Sequence, residues 1–166
     1  RIRWSDEYGT ARHAHKRSLY TQEQLPQDVE GGDPRCSFHW FGNSGRLYVF
    51  EAPIDLLAFL TLYPEAWREH SYVALRHFGA GHALDAGEDP RIQRVVLCLD
   101  HDAAGIEATG RLTDILREHG HTRVSVLRPE YKDWDEDLKA STAGLPSLRS
   151  SILNSRRRSL SAPASR

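Results

Sequence analysis

Three carboxylates have types and spacing suited to chemistry: Glu51, Asp100 and Asp102. Glu51 closes the apolar run Leu47-Tyr-Val-Phe50 and is followed by Ala52 and Pro53. Asp100 and Asp102 close a second apolar run, Val95 to Leu99, and are followed by Ala103-Ala-Gly105. Two residues apart in locally extended chain, the two aspartates point the same way. Carboxylates so close repel unless a cation lies between them. A hard divalent ion held by oxygen is the usual solution, with Mg2+ the first expectation and Mn2+ the second. The small residues 103–105 are expected to leave room for a phosphate or metal. A lone Glu in this setting reads as an ordinary turn acid; its repetition in a second, similar unit argues for a site.

The elements that must position these acids follow from the apolar pattern. Short uninterrupted apolar runs read as buried strands. Pro53 is preset for the first turn of a helix, and Ile54 to Leu62 is apolar and helix-like. Ala103 to His119 is amphipathic, with Ala108, Leu112, Ile115, Leu116 and His119 at helical spacing, and Gly120 is placed to end it. Ser71 to Leu75 and Thr122 to Leu127 read as further strands, with a short helical turn over Glu65 to His70. Strand-helix-strand repeats imply right-handed crossovers and a parallel sheet covered on both faces. Both carboxylate clusters then fall at the carboxyl ends of strands, where ligands collect in open α/β sheets.

A third stretch, Pro129-Glu-Tyr-Lys132-Asp133-Trp-Asp135-Glu136-Asp137-Leu138, joins these two. A Glu closing one strand, Asp-x-Asp closing a later one, and this Lys-Asp-rich segment in that order resemble the Toprim domain of primases, topoisomerases and some nucleases. The wording Phe-Glu-x-x-Ile-Asp-Leu-Leu and Leu-Asp-x-Asp-x-x-Gly is similar to a Toprim-like branch of bacterial mobile-element and plasmid proteins, related to primases. The resemblance covers about residues 38–140. It implies an α/β fold, a Toprim-type (Rossmann-like), mainly parallel sheet of about four strands flanked by helices, with an N-terminal antiparallel β extension. It also implies metal bound at Glu51, Asp100 and Asp102, with Glu51 completing the site or acting as general acid/base. Asp55, Lys132, Asp133, Asp135 and Glu136 are candidates for support of that site or for substrate contact; Asp137 reads more simply as a solvated acid. Trp134 is expected to pack. Many Toprim domains place Gly after the Glu, whereas this chain has Ala52, whose methyl restricts backbone approach by a substrate.

The remaining chain bounds the possibilities. At 166 residues it suits one domain with a usable core. The net charge of −1 does not announce a nucleic-acid partner, but it is unevenly spread: Ser150 to Arg166 carries +4, leaving −5 elsewhere. The chain contains no Met and is expected to belong to a longer protein with other domains. No stretch resembles a signal peptide or membrane span. Cys36 and Cys98 read as small buried residues of a reduced, cytoplasmic protein. Residues 1–34 form an N-terminal extension, 35–140 the Toprim-like domain and 141–166 a basic tail or linker. His13 and His15 share one face of an expected strand, which is more simply a polar face than a metal site. Arg35 to Phe41 is expected to form a hairpin with Leu47 to Phe50 through Gly42-Asn-Ser-Gly45. Phe78-Gly-Ala-Gly81 is small but lacks the spacing of a nucleotide fingerprint. In the tail, Arg156, Arg157 and Arg158 are candidates for contact with nucleic-acid backbone.

Three functions compete at this stage. One is a metal-dependent Toprim domain acting on DNA or RNA by phosphoryl transfer, primase-like or replication-associated. Another is a non-catalytic nucleic-acid-binding or assembly module of the same fold, favoured by Ala52 and the acidic body. The last is a phosphatase of the haloacid dehalogenase type, which also uses Asp-x-Asp after a strand but leaves the Glu51 unit unexplained and normally has Thr or Val where this chain has Ala104.

Overall fold

The computed structural model describes residues 2–5, 10–15, 38–75 and 89–143, with backbone alone for 2–5 and 11–15. Strands β1 (Ile2–Ser5) and β2 (Ala11–His15) pair antiparallel as a separate two-stranded sheet. The main sheet holds β3 (Phe38–Trp40), β4 (Arg46–Phe50), β5 (Ser71–Ala74), β6 (Arg94–Leu97) and β7 (Val124–Val126). Its spatial order is β3-β5-β4-β6-β7. β5, β4, β6 and β7 run parallel, and β3 is antiparallel at the edge. Helix α1 spans Pro53–Leu62, α2 Ala103–Glu118 and α3 Trp134–Thr142, with a 3-10 turn at Trp67–Glu69.

The apolar runs are continuous because both sheet faces are covered. Along β4, Leu47 and Val49 join Val95, Leu97, Leu112 and Leu116 in the core beneath α2. Tyr48 and Phe50 point the other way, into a core with Leu56, Phe59, Tyr72 and Trp134 beneath α1 and α3. Pro53 opens α1 as expected. Gly120 follows the last turn of α2 with φ +90°, a conformation that glycine adopts without a Cβ penalty. The apolar stripe of α2 shifts slightly from expectation: Gly105, Thr109, Leu112 and Leu116 are buried, whereas His119 is exposed.

The four parallel strands and an added antiparallel strand are as expected. One expectation is corrected: β3 does not pair with β4 in a hairpin but with β5, Phe38 opposite Ala74 and Trp40 opposite Tyr72. The loop through Gly42 and Ser44 crosses the amino end of β5, held there by Ser44 N–H donating to the Glu69 carbonyl (2.7 Å) and Gly42 N–H donating to Ser71 Oγ (3.2 Å). Five residues easily bridge the two strand spacings involved, about 10 Å. A short loop between two strands therefore does not require that they be neighbours. The expected features at Cys36, Phe78 to Gly81 and the basic tail lie outside the described residues, as do the side chains of His13 and His15.

Candidate active site

The chain order creates a switch point. From β4 the connection through α1 leads to β5 on one side; from β5 the chain returns across β4 to β6 on the other. α1 and α2 consequently leave neighbouring parallel strands toward opposite faces, which opens a crevice at their carboxyl ends. Glu51 and Asp100 sit on the two sides of that crevice. β4 and β6 are in register through Val49 and Leu97, and the Cys98 N–H donates to the Val49 carbonyl (2.7 Å). Glu51 is exposed immediately beyond β4, and Asp100 is half-buried just beyond β6. The third motif reaches the same edge from β7: the His101 N–H donates to the Lys132 carbonyl (2.7 Å), and His101 Nδ1 lies 3.1 Å from the Pro129 carbonyl oxygen.

The electrostatics of this edge centre on Asp100. Burial, then the negative charges of Glu51, Asp55, Asp133 and Asp102 in that order, push its carboxyl up to about 7. Its Oδ1 is buried and has no hydrogen-bond partner among the described residues. Five acids from three motifs thus share one field, as expected for a site that holds positive charge in use. Asp55, at 4 % exposure, is far more enclosed than a helix N-terminal acid at a surface would be.

The neighbouring acids also have structural duties. Asp102 is the N-cap of α2: its Oδ1 accepts from the Gly105 N–H at 2.9 Å. Its Oδ2 faces Lys132 Nζ at 3.8 Å, in a solvent-exposed pair of small energetic weight. Asp133 caps α3 by accepting from the Glu136 N–H (2.8 Å), while Glu136 Oε2 accepts from the N–H of Lys132 (3.4 Å), the residue before the cap. Asp135 pairs with Lys139 at 2.7 Å. Asp137 accepts from the backbone N–H groups of Glu130 (2.9 Å) and Tyr131 (2.8 Å), which fixes the turn carrying Lys132. Trp134 packs, as expected, at 1 % exposure.

Of residues 103–105, Gly105 does not leave the open space expected of it. Ala103 and Ala104 are exposed, but Gly105 is buried, and a Cβ there would collide with the Asp100 backbone carbonyl. Its smallness lets α2 start directly against the strand-end turn. Ala52 has φ −129° and ψ 154°, ordinary extended geometry, so no glycine is required there by conformation.

A divalent cation fits this chemistry in one specific way. Among the described residues, no three His, Cys, Asp or Glu side chains are grouped to hold a metal by themselves. Mg2+ does not require such a cage: it keeps several waters and binds through one or two carboxylates together with substrate phosphates. The buried, unpartnered Asp100 oxygen and the surrounding acids suit that mode. Arg156, Arg157 and Arg158 lie outside the described residues.

Fold and edge together define a doubly covered, mainly parallel α/β domain with an acidic carboxyl edge at its switch point. Residues 48–138 match the family described as Toprim-like, and the chain belongs to that family. Over 101 residues it is 32% identical to the uncharacterized MG010 homolog protein of Mycoplasma pneumoniae, an alignment covering 57% of this chain and 43% of that one. The aligned region is therefore less than half of that relative's length. Among solved structures, the primase fragment of the bacteriophage T7 primase-helicase protein superposes with a TM-score of 0.64 at 20% identity, covering 86% of this chain and 57% of that one. A DNA primase domain from Pseudomonas aeruginosa gives 0.57 at 18% identity, covering 83% and 46%. The E. coli primase catalytic core gives 0.57 at 19% identity, covering 97% and 57%. At such identities the likeness is one of fold.

Proposed function

We propose that this chain is a primase-like Toprim domain that acts on DNA or RNA phosphodiesters with Mg2+ or Mn2+. The observation that carries this reading is the convergence of Glu51, Asp55, Asp100, Asp102 and Asp133 on one strand edge, with Asp100 Oδ1 buried and without a partner among the described residues. A divalent ion bound there would orient a phosphate and offset charge developing on it. Asp100 and Asp102 are the residues proposed to hold it, with Asp55 supporting from beneath. Glu51, exposed across the crevice, completes the set or moves a proton at its carboxylate. Lys132 stands beside Asp102, where it can meet a substrate phosphate.

The domain assigned to this work is 35–140, preceded by the extension 1–34 and followed by the basic segment 141–166, whose Arg156, Arg157 and Arg158 are candidates for backbone phosphate contact. Other domains of a longer protein, a replication role in a mobile element or plasmid, and a cytoplasmic setting belong to the same proposal. No helix among the described residues is long and apolar enough to cross a membrane.

Calorimetric titration of Mg2+ and Mn2+ into the wild type and the Asp100→Asn/Asp102→Asn double variant tests the metal site. Wild-type binding that the double variant loses is the expected result; equal binding by both would sink the assignment. For Glu51, metal-dependent primer synthesis or strand cleavage should fall at least ~100-fold in Glu51→Gln, and undiminished activity would remove it from the site. The second reading, a non-catalytic binding module, draws on the lack of a closed carboxylate cage among the described residues. Metal and nucleic-acid binding without turnover in the full-length protein would favour it. The haloacid dehalogenase reading is not carried further, because the family match includes the Glu51 unit that it leaves unexplained.

A further inference from the structure

The opposite edge of the same sheet is basic. Arg46 opens β4 and Arg94 opens β6, and the two are direct partners across the parallel pair. Val95 pairs with Val124, so Arg123 lies beside Arg94, and the Val95 N–H donates to the Arg123 carbonyl (3.0 Å). On the other side of β4, Leu47 pairs with Ser71, which sets His70 beside Arg46. His70, Arg46, Arg94 and Arg123 therefore form a row in register across four neighbouring parallel strands. With Ser44 and Gln93 they line a cavity of about 250 Å³.

Like charges directly opposite one another in a sheet are destabilising, and the acid at this end of the row, Glu69, acts on His70. None of the three guanidinium groups has a carboxylate partner among the described residues; Arg46 Nη1 donates instead to the Tyr48 hydroxyl at 3.1 Å. By contrast, Arg91, at the same end of the sheet, is held by Asp89 at 2.6 Å, and Arg111 on α2 pairs with Glu107 at 3.1 Å. His70 is fixed by Ser44 Oγ, 2.7 Å from its Nδ1, and its ring lies tilted at 49° to that of Tyr48, with centroids 5.6 Å apart. Guanidinium groups are the donors best shaped for phosphate oxygens. The cavity lies below the range of about 300–1,000 Å³ that takes a drug-sized ligand, which suits a single phosphate group rather than a whole nucleotide.

We infer that the amino edge of the sheet is an anion subsite in which Arg46, Arg94 and Arg123 receive one phosphate group. It lies about 17 Å from the acidic edge, five residues of extended strand away, and does not depend on metal at that edge. The phosphate belongs either to the backbone of a single strand running past the domain or to a small phosphorylated molecule, and the two sources separate by experiment.

The test uses the whole chain in EDTA. Fluorescence anisotropy of a labelled single-stranded DNA 12-mer is measured against salt, and inorganic phosphate and pyrophosphate binding are followed by chemical-shift changes at residues 46, 70, 94 and 123. The variant is Arg94→Gln/Arg123→Gln, both exposed positions; Arg111→Gln is the control. The expected result is phosphate-induced shifts confined to the row, lost in the double variant and kept in the control and in Asp100→Asn. Oligonucleotide affinity at least ~10-fold lower in the double variant, with a salt slope smaller by about 2, identifies a backbone phosphate. Inorganic phosphate or pyrophosphate binding without an effect on the oligonucleotide identifies a small phosphorylated ligand. In the anion-free protein the double variant should also melt about 1–3 °C higher, because the row's repulsion is relieved. Phosphate, pyrophosphate and oligonucleotide binding all unchanged in the double variant would overturn the subsite. Loss of Mg2+ binding in the Asp100→Asn/Asp102→Asn variant with these results intact would leave it standing, so the two sites fail separately.

Discussion

The indole N–H of Trp134 donates to the backbone carbonyl of Cys98 at 2.9 Å, with the whole Trp side chain buried. This bond joins the helix of the third motif to the strand that delivers Asp100. It holds Asp133, the residue before Trp134, within the field of Asp100. The ring also meets Phe59 of α1 edge-on, with centroids 5.0 Å apart and planes at 86°, so one side chain locks all three motif-bearing segments together.

Trp134→Ala is expected to lower unfolding free energy by about 3–5 kcal/mol, measured by urea denaturation. Trp134→Phe keeps most of the ring volume but leaves the Cys98 carbonyl without its donor, at a cost of about 1–3 kcal/mol. A Phe variant as stable as wild type would show that the hydrogen bond contributes nothing.

Asp102 combines a cap with a candidate metal ligand, and two substitutions separate these roles. Asn is as good an N-cap as Asp, so Asp102→Asn should keep stability within about 0.5 kcal/mol while weakening Mg2+ binding. Asp102→Ala should lose both, with about 1 kcal/mol of stability. Thermal melts and calorimetry on the same samples decide it; an Asn variant as destabilised as the Ala variant contradicts the capping account.

Asp100 makes the metal-free protein sensitive to pH in a defined direction. Its carboxyl is raised from 3.8 to about 7 in the folded state, chiefly by burial and then by Glu51. Between those values the folded chain binds more protons than the unfolded one, so this group's contribution to stability falls as pH rises from about 4 to 7. The group is half-exposed and solvent-screened, so the effect is about 1–2 kcal/mol. The difference between wild type and Asp100→Asn, followed by denaturation from pH 4 to 8 in EDTA, should carry that slope. His70 acts oppositely. Burial, then Arg46, lower its pKa, so stability from this group is lost as pH falls below about 6.5. A flat wild-type-minus-Asn difference would refute the Asp100 account.

Two glycines of α2 predict opposite outcomes for the same change. Gly105→Ala drives a methyl into the Asp100 backbone carbonyl and should cost about 1–3 kcal/mol or more. At Gly110 a Cβ meets nothing within 4 Å, so Gly110→Ala should stabilise by up to about 1 kcal/mol, a rise of about 2–4 °C in Tm. Circular-dichroism melts distinguish them, and a destabilised Gly110→Ala would mean that this face of α2 is covered in solution.

Sequence alone determined the strands that end in Glu51 and Asp100, the helices after them and the packing of Trp134. Each rests on a local signal: an apolar run long enough to be buried on both faces, Pro53 preset for a first turn, Gly120 suited to positive φ. The order of motifs was enough to assign the family. Strand order was not legible, because β3 and β4 are separated by a short loop in sequence and by β5 in space, and only long-range pairing decides which strand fills the gap. The burial of Asp55 likewise depends on what the fold brings alongside, whereas the caps at Asp102 and Asp133 are local, each three residues from the N–H group it engages. The basic row had a trace in the sequence, since Arg46, Arg94 and Arg123 each stand immediately before an apolar run. Their meeting as one surface was set only by the register of three parallel strands, because charges more than 25 residues apart along the chain become neighbours only when tertiary pairing aligns them.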